Sequence, residues 1–232
     1  MNSIKQIEVL LADRLVGRLA LTKEGLCAFE YAPDWLGSGF SISPFELPLR
    51  SGVFIAKPRP FEGGFGVFDD CLPDGWGLLI VDRYLQQKGI NPRALTLLDR
   101  LALVGSSGRG ALEFRPDHSV VTRQDYADFE KLALEAERIL GSDEYRGKGI
   151  EEFQDRGGSP GGARPKIFAR YEGKEWLVKF RAKRDPQSIG VDEYRYSLLA
   201  KECGIEMPDT RLFEGKYFGC LLYTSPSPRD GA

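Results

Sequence analysis

Histidine is almost absent from this chain, which has a single one, His118, among 232 residues. It lies in an Arg-Pro-Asp-His stretch that is typical of a solvated turn. Catalytic triads and histidine-rich metal centres both depend on positioned imidazole groups. The sequence therefore gives little support to either kind of site.

Cysteine is also scarce. The four cysteines are scattered, and no two of them have C-x-x-C spacing: Cys27, Cys71, Cys203 and Cys220. This argues against a zinc ribbon and against a thioredoxin-type redox site. Scattered thiols are typical of reduced residues in a cytosolic protein, so we expect a cytoplasmic location.

Long apolar runs are missing too. No run approaches the roughly 18 residues that a membrane-spanning helix requires. The N-terminus, Met1-Asn-Ser-Ile-Lys-Gln-Ile, has no apolar signal core. The formal net charge is −2 and the pI is about 5.7, which disfavours direct nucleic-acid binding. We therefore expect neither a membrane nor a nucleic acid as a direct partner.

The apolar patterning predicts a mixed α+β chain. Alternating residues predict a hairpin over Ile7–Leu21 and short strands at 27–31 and 52–56. Asp74 is the expected N-cap of a helix that runs to Gln87. A second helix is expected from Pro92 to Val104, because proline suits a first helical turn.

A third helix is predicted over Thr122–Leu140, with Thr122 as its cap and Asp125 three residues further on. Residues 141–158 are polar and contain glycine, which is typical of a domain boundary. We therefore predict a first domain over residues 1–145 and a second over residues 155–223. In the second we expect two hairpins separated by a helix from Asp192 to Cys203.

The second domain opens with the glycine-rich loop Gly157-Gly-Ser-Pro-Gly-Gly-Ala-Arg-Pro-Lys166, and the strand Trp176-Leu-Val-Lys-Phe180 follows. Glycines let backbone N–H groups approach an anion, and a lysine ammonium supplies the countercharge. Lys179 is expected to point away from the face that Trp176, Val178 and Phe180 share. Glu193, on the next helix, is placed to pair with Lys179. This is the order of parts in the small lobe of a protein-kinase-like fold.

The residues alone leave alternatives open. The loop is not a Walker A motif, because no G-K-[S/T] ends it and a strand follows, and it is not the kinase G-x-G-x-x-G. A lone strand lysine is usually a solvated residue. Glu193 also suits a helix N-terminus, where the macrodipole favours a carboxylate. From spacing alone, a nucleotide site and an ordinary surface are about equally supported.

The chain resembles the HipA-type toxin kinases. The resemblance rests on the loop and the lysine strand, and on three further segments: Asp192–Ile205, Cys71-Leu-Pro-Asp-Gly-Trp-Gly77 and Gly108-Arg-Gly-Ala-Leu-Glu-Phe114. It implies an N-terminal HipA-type α+β domain followed by the small lobe of a kinase-like fold. It also implies a serine/threonine protein kinase that uses ATP and Mg²⁺ on a protein substrate. The family's targets include aminoacyl-tRNA synthetases, and its usual partner is a DNA-binding antitoxin.

The resemblance carries over individual residues. It places the phosphate loop at six successive positions: Gly161, Gly162, Ala163, Arg164, Pro165 and Lys166. Lys179 corresponds to the nucleotide-binding lysine, and Glu193 to the residue that orients it. Ser159 falls where the family has an autophosphorylated serine, and a phosphate charge of about −1.5 to −2 there would repel ATP. The alternative for Ser159 is a small turn residue.

The sequence departs from the family after the small lobe. No segment after Lys179 resembles the catalytic loop with its aspartate and metal ligands, so we identify no catalytic and no metal-binding residue and expect a truncated, inactive chain. Prolines prevent residues 224–232 from continuing a strand, and we expect a non-native or disordered tail there. Two other functions stay open: a non-catalytic module that binds an antitoxin, and a kinase that acts on a small molecule.

Overall fold

The computed structural model describes residues 4–108, 110–119, 128–142, 145, 147–157 and 162–221. The chain divides into two compact units, one of residues 1–72 and 91–120 and the other of residues 73–90 and 121–232. Each unit contains one antiparallel sheet and several helices, which confirms the predicted α+β class. Among the described residues, none of the helices combines the length and the apolar character that a membrane span requires.

The described part of the chain forms nine strands and seven α-helices. The strands are β1 (Gln6–Leu11), β2 (Arg14–Leu21), β3 (Cys27–Tyr31), β4 (Val53–Ile55), β5 (Leu112–Arg115), β6 (Lys166–Tyr171), β7 (Lys174–Lys179), β8 (Thr210–Phe213) and β9 (Tyr217–Leu221). The helices are α1 (Pro33–Ser38), α2 (Gly66–Asp69), α3 (Gly75–Gln87), α4 (Leu97–Val104), α5 (Phe129–Gly141), α6 (Gly149–Gly157) and α7 (Ile189–Glu202).

The first unit is built on a five-stranded antiparallel sheet in the order β4-β3-β2-β1-β5. Ala12 and Asp13 join β1 to β2 in a tight turn in which both residues have positive φ, so the predicted hairpin is confirmed. Inward-facing residues of the strands form an apolar core with α4 and with aromatic side chains. Phe29 packs against Tyr31 and Phe68, with ring centroids 4.9 and 5.4 Å away.

The helix predicted from Pro92 to Val104 is wrong in its first half. A short 3₁₀ turn covers Pro92–Ala94, and α4 begins only at Leu97. The cause is a capping box. The hydroxyl oxygen of Thr96 accepts a hydrogen bond from the Asp99 N–H at 3.2 Å, and the Asp99 carboxylate accepts one from the Thr96 N–H at 2.9 Å. This reciprocal pair makes Thr96 the N-cap of a new helix that begins at Leu97.

The second unit combines a four-stranded antiparallel sheet, in the order β6-β7-β9-β8, with α3, α5, α6 and α7. α3 and α5 both pack on α6, which also contacts β6, whereas α7 lies against β8 and β9. Trp76 of α3 and Phe153 of α6 meet edge to face at 5.0 Å. Phe129 of α5 contacts Phe213 of β8 at 5.1 Å. Residues that precede the glycine-rich loop in sequence thus supply much of the core beneath its sheet.

Two helices of the second unit differ from expectation. α5 begins after Asp128, whose carboxylate accepts a hydrogen bond from the Lys131 N–H at 3.0 Å, and the expected caps Thr122 and Asp125 lie outside the described residues. α6 was not predicted, because its stretch is mostly polar. Ile150 and Phe153 are nevertheless buried and hold this helix against its neighbours.

Candidate functional site

Lys179 ends β7, on the sheet face opposite to the apolar core of the second unit. Trp176, Val178 and Phe180 are buried in that core, whereas Lys179 is partly exposed, as the period of two predicted. The lysine therefore leaves the strand on the side where Glu193 and the loop residues Arg164 and Lys166 lie.

The ammonium group of Lys179 is held by two neighbours. Its Nζ donates a hydrogen bond to Glu193 Oε2 at 3.0 Å and lies 5.1 Å from the centre of the Phe218 ring on β9. An ion pair and a ring face restrict the rotamers of a side chain that is otherwise flexible. Lys179 is therefore presented in a fixed position.

Glu193 does not lie at the head of its helix. α7 begins at Ile189, three residues before the predicted start, with Ser188 at the N-cap position. Glu193 is consequently in the second turn, beyond the first turn in which the helix dipole acts most strongly. Its position is better explained by its pairing with Lys179 than by the dipole.

Lys166 lies directly opposite Lys179 in the β6–β7 register. It is 93% buried by residue surface, and burial, followed by the charge of Lys179, lowers its pKa. The Nζ atom of Lys166 lies close to Gly162. A Cβ atom added to that glycine would be only 2.9 Å from this Nζ. Two ammonium groups therefore lie at one point of the sheet, beside a glycine, and both are charged donors of the kind that bind anions, with the carboxylates of Asp74 and Glu193 also nearby.

Arg164 adds a third cation to this group. Its Nη2 atom is 3.0 Å from Asp185 Oδ1, and its Nη1 atom is 3.9 Å from Glu193 Oε1. Burial alone would raise the pKa of Asp185, but hydrogen bonds from the Ala182 N–H and from Arg164 lower it. Glu193 thus lies between Lys179 and Arg164 and links the loop to α7.

The end of the loop is tied to the sheet by backbone contacts. The Pro165 carbonyl accepts a hydrogen bond from the Phe180 N–H at 2.8 Å, which extends the β6–β7 pairing. Ala163 is exposed beside it. Of the residues that the resemblance assigns to the site, Gly161 and the proposed regulatory Ser159 lie outside the described residues. The others are described and lie within the second unit.

Asp74 also belongs to this site, although the sequence predicted it only as the N-cap of a helix. It occupies the N-cap position of α3 as predicted, but its carboxylate makes no capping bond to that helix. Instead, Asp74 Oδ1 accepts a hydrogen bond from the Gly162 N–H at 2.7 Å, and the Gly162 carbonyl accepts one from the Trp76 N–H at 3.0 Å. The only sequence signal was the Pro-Asp-Gly-Trp motif itself, which does not indicate a contact 88 residues away.

A cavity of about 380 Å³ opens beside this group. Its lining includes both charged and apolar side chains, among them Leu134, Glu137, Arg164, Lys179, Glu193 and Tyr217. Concave sites with a few convergent polar groups are typical of small-molecule binding. Within the described residues, no group of three or more His, Cys, Asp or Glu side chains is placed to hold a metal ion.

Comparison with known families yields two matches. The model of the HipA N-terminal domain matches residues 7–115, and that of the HipA-like C-terminal domain matches residues 158–224. The first match spans the strands of the five-stranded sheet, and the second spans the loop, Lys179, Glu193 and the four-stranded sheet. Together the matches cover well over half of the sequence, in the order that the HipA resemblance requires. The chain is therefore a HipA-like protein.

Proposed function

We propose that this chain is part of a HipA-type serine/threonine kinase toxin and that its second unit is a kinase-like small lobe that binds ATP. The observation that carries the proposal is the pair formed by Lys179 and Glu193 at 3.0 Å, next to the buried Lys166 and to the glycine-rich loop. A strand lysine fixed by a helix glutamate is the arrangement that kinases use to contact nucleotide phosphates. Membership in the HipA-like family supports the same assignment.

The charges of the site suit a polyphosphate. Lys179 is the proposed contact for the phosphates, and Glu193 holds it in place so that little side-chain freedom is lost on binding. Burial and the positive charge of Lys179 both disfavour the protonated form of Lys166, and they therefore lower its pKa. A bound phosphate would compensate both effects, because it adds the opposite charge between the two ammonium groups.

Mg²⁺, a protein substrate such as an aminoacyl-tRNA synthetase, and a DNA-binding antitoxin belong to the proposal through family membership. Phosphoryl transfer also needs a base and metal ligands, and the sequence contains no segment that resembles a catalytic loop. For the 232-residue chain we therefore propose nucleotide binding without phosphate transfer. Incubation with radiolabelled ATP and a synthetase substrate is expected to leave both proteins unlabelled.

Calorimetric titration of the chain with MgATP tests the proposed site. The Lys179→Met variant is expected to bind at least about tenfold more weakly, because hydrogen bonds to charged groups contribute about 1.5–3 kcal/mol. Lys174→Met is the matched control, since Lys174 is exposed at the other end of β7. Equal affinity of Lys179→Met and the unmodified chain would contradict the proposal.

A second candidate function is partner binding by the first unit, and exposed apolar side chains favour it. Phe45 is fully exposed, and Val53 and Ile55 of the edge strand β4 are more than half exposed. Exposed apolar groups on an edge strand are typical of surfaces that pair with another chain. If an antitoxin binds here, Ile55→Glu will abolish its co-purification with the chain, whereas Lys57→Glu, in the exposed segment after the strand, will not.

A further inference from the structure

The start of α3 holds the glycine-rich loop at one residue, Gly162. The Gly162 N–H donates to Asp74 Oδ1 at 2.7 Å, and the Gly162 carbonyl accepts from the Trp76 N–H at 3.0 Å. Both backbone polar groups of one loop residue are thus satisfied by two residues that flank Gly75. A pair of bonds from one rigid element fixes the backbone orientation of Gly162 as well as its distance from α3.

Gly75 makes this close approach possible. It has a φ of +45°, and a Cβ atom built on it would lie 2.6 Å from the Gly162 carbonyl oxygen. A side chain at position 75 would therefore be strained and would also push the loop away. Gly162 itself has a φ of +91° and is close to Lys166 on its other side. Because neither Gly75 nor Gly162 has a side chain, the loop can lie directly against the start of α3.

The helix end that makes these bonds is firmly anchored. Trp76 is only 2% exposed and packs edge to face against Phe153 of α6. Arg83, farther along α3, donates a hydrogen bond to the Ile139 carbonyl of α5. Because α3 is held by both neighbouring helices, it can act as a fixed support for the loop.

We propose that Asp74, Gly75 and Trp76 form a latch that positions the phosphate loop, with Asp74 as a positioning residue for nucleotide binding. This proposal rests on the proposed function for its effect on ATP, but the latch itself exists without nucleotide. In the latched arrangement the N–H of Gly162 is occupied by Asp74. The contribution of Gly162 is then to fix the loop and the neighbouring Lys166, not to bind a phosphate through its own N–H.

Amide hydrogen exchange without nucleotide, followed by NMR, tests the latch. Asp74→Ala is expected to speed exchange of the Gly162 amide by at least about tenfold. The matched control is Asp128→Ala, which removes another N-cap aspartate of the same unit, one that does cap its own helix. This control is expected to lower the melting temperature and to leave the Gly162 amide protected. Unchanged Gly162 exchange in Asp74→Ala would overturn the latch, whatever the chain does with ATP.

Titration with MgATP tests the positioning role. Asp74→Ala and Gly75→Ala are each expected to weaken binding by about tenfold, the equivalent of about 1.4 kcal/mol. Asp74→Asn keeps an oxygen acceptor for the Gly162 N–H and removes a negative charge near the phosphates, so its affinity is expected within about threefold of the unmodified chain. If Asp74→Asn binds as poorly as Asp74→Ala, or if Asp74→Ala binds normally, the positioning role is overturned.

The two readouts separate the two proposals. If the unmodified chain does not bind MgATP but Gly162 exchange still depends on Asp74, the proposed function fails and the latch stands. If MgATP binds and depends on Lys179 but not on Asp74, the function stands and the positioning role fails.

Discussion

Lys166 and Lys179 face each other across the β6–β7 pair, although both carry positive charge. Like charges opposite each other in a sheet destabilise it, and Lys166 is almost completely buried as well. A buried lysine with a lowered pKa, such as Lys166, is a common feature of functional sites. The position opposite Lys179 therefore costs stability, which the proposed binding of a phosphate would recover.

Replacing Lys166 by methionine is expected to separate stability from binding. Methionine keeps the apolar stem and removes the buried charge, so Lys166→Met should be at least as stable as the unmodified chain at pH 7. The pKa of Lys166 is lowered in the folded chain, so the cost of its charge fades as the pH rises towards 10.5, the ordinary pKa of lysine. Urea denaturation should thus show the advantage of the variant shrinking by pH 10. Its affinity for MgATP should fall by about tenfold.

Removing the charge of Glu193 is expected to act through Lys179. In Glu193→Gln the lysine loses its ion pair, and MgATP affinity should fall about threefold to tenfold because the free side chain must be ordered on binding. Glu202→Gln, at the exposed end of α7, is the control. In a double-mutant cycle, Glu193→Gln should add little once Lys179 is methionine. Fully additive losses would show that the two residues act independently.

The contact between Glu130 and β9 predicts a pH dependence of stability. Hydrogen bonds from Lys216 and then from Tyr217, at 3.0 and 2.9 Å, lower the pKa of Glu130 below its ordinary value of 4.5. A carboxylate with a lowered pKa contributes stability above that ordinary value and loses the contribution as the pH falls through its folded pKa. Glu130→Gln should therefore be less stable than the unmodified chain at pH 7, and in urea titrations this difference should shrink as the pH falls below 4.5 towards 3.

The hydroxyl of Tyr217 gives a second test of this contact. Tyr217→Phe removes one hydrogen bond and is expected to cost about 1 kcal/mol at pH 7. Glu206→Gln, in the exposed segment after α7, should change stability at neither pH. A loss in Glu130→Gln that persists undiminished at pH 3 would contradict the assignment to the carboxylate.

The capping box of α4 predicts that removing the Thr96 cap will lower the free energy of unfolding more than removing the Asn91 cap. Thr96→Ala breaks a reciprocal pair of bonds at the start of a helix that lies on the first sheet, and is expected to cost about 1–2 kcal/mol. Asn91→Ala removes a single, exposed hydrogen bond, which the Arg93 N–H donates at 3.1 Å, from the start of a short 3₁₀ turn. Its cost should be smaller, about 0.5 kcal/mol. Thermal unfolding that ranks the two variants in the opposite order would be inconsistent with this account.

Sequence reasoning was most successful where the pattern is local. Alternation and turn residues predicted the β1–β2 hairpin, β3 and a strand over Glu175–Phe180, which the structure places at Lys174–Lys179. These predictions succeed because the period of a strand and its turn both depend on a few neighbouring residues. The opposite faces of Val178 and Lys179 follow from the same period. α6 was missed, since its sequence has just two large apolar residues, Ile150 and Phe153, and is otherwise polar or glycine.

One contact among the predicted residues could be anticipated from the sequence, whereas most of their geometry could not. The pairing of Lys179 with Glu193 was anticipated from the order of elements, and the structure brings them within 3.0 Å. The position of Lys166 opposite Lys179 depends on strand register, which spacing alone does not fix. The hydrogen bond from the Gly162 N–H to Asp74 joins residues far apart in sequence. The sequence around an N-cap aspartate does not indicate whether its carboxylate bonds its own helix or a distant residue.

The early position of α3 in the sequence has a consequence for how the chain emerges from the ribosome. α3 is made before residues 91–120, which complete the first unit, whereas its partners α5 and α6 and the second sheet come later. During synthesis, the apolar side of α3, with Trp76 and Ile80, stays exposed until residues beyond 128 have been added. Nascent chains that stall in this interval are the ones expected to recruit chaperones and to aggregate.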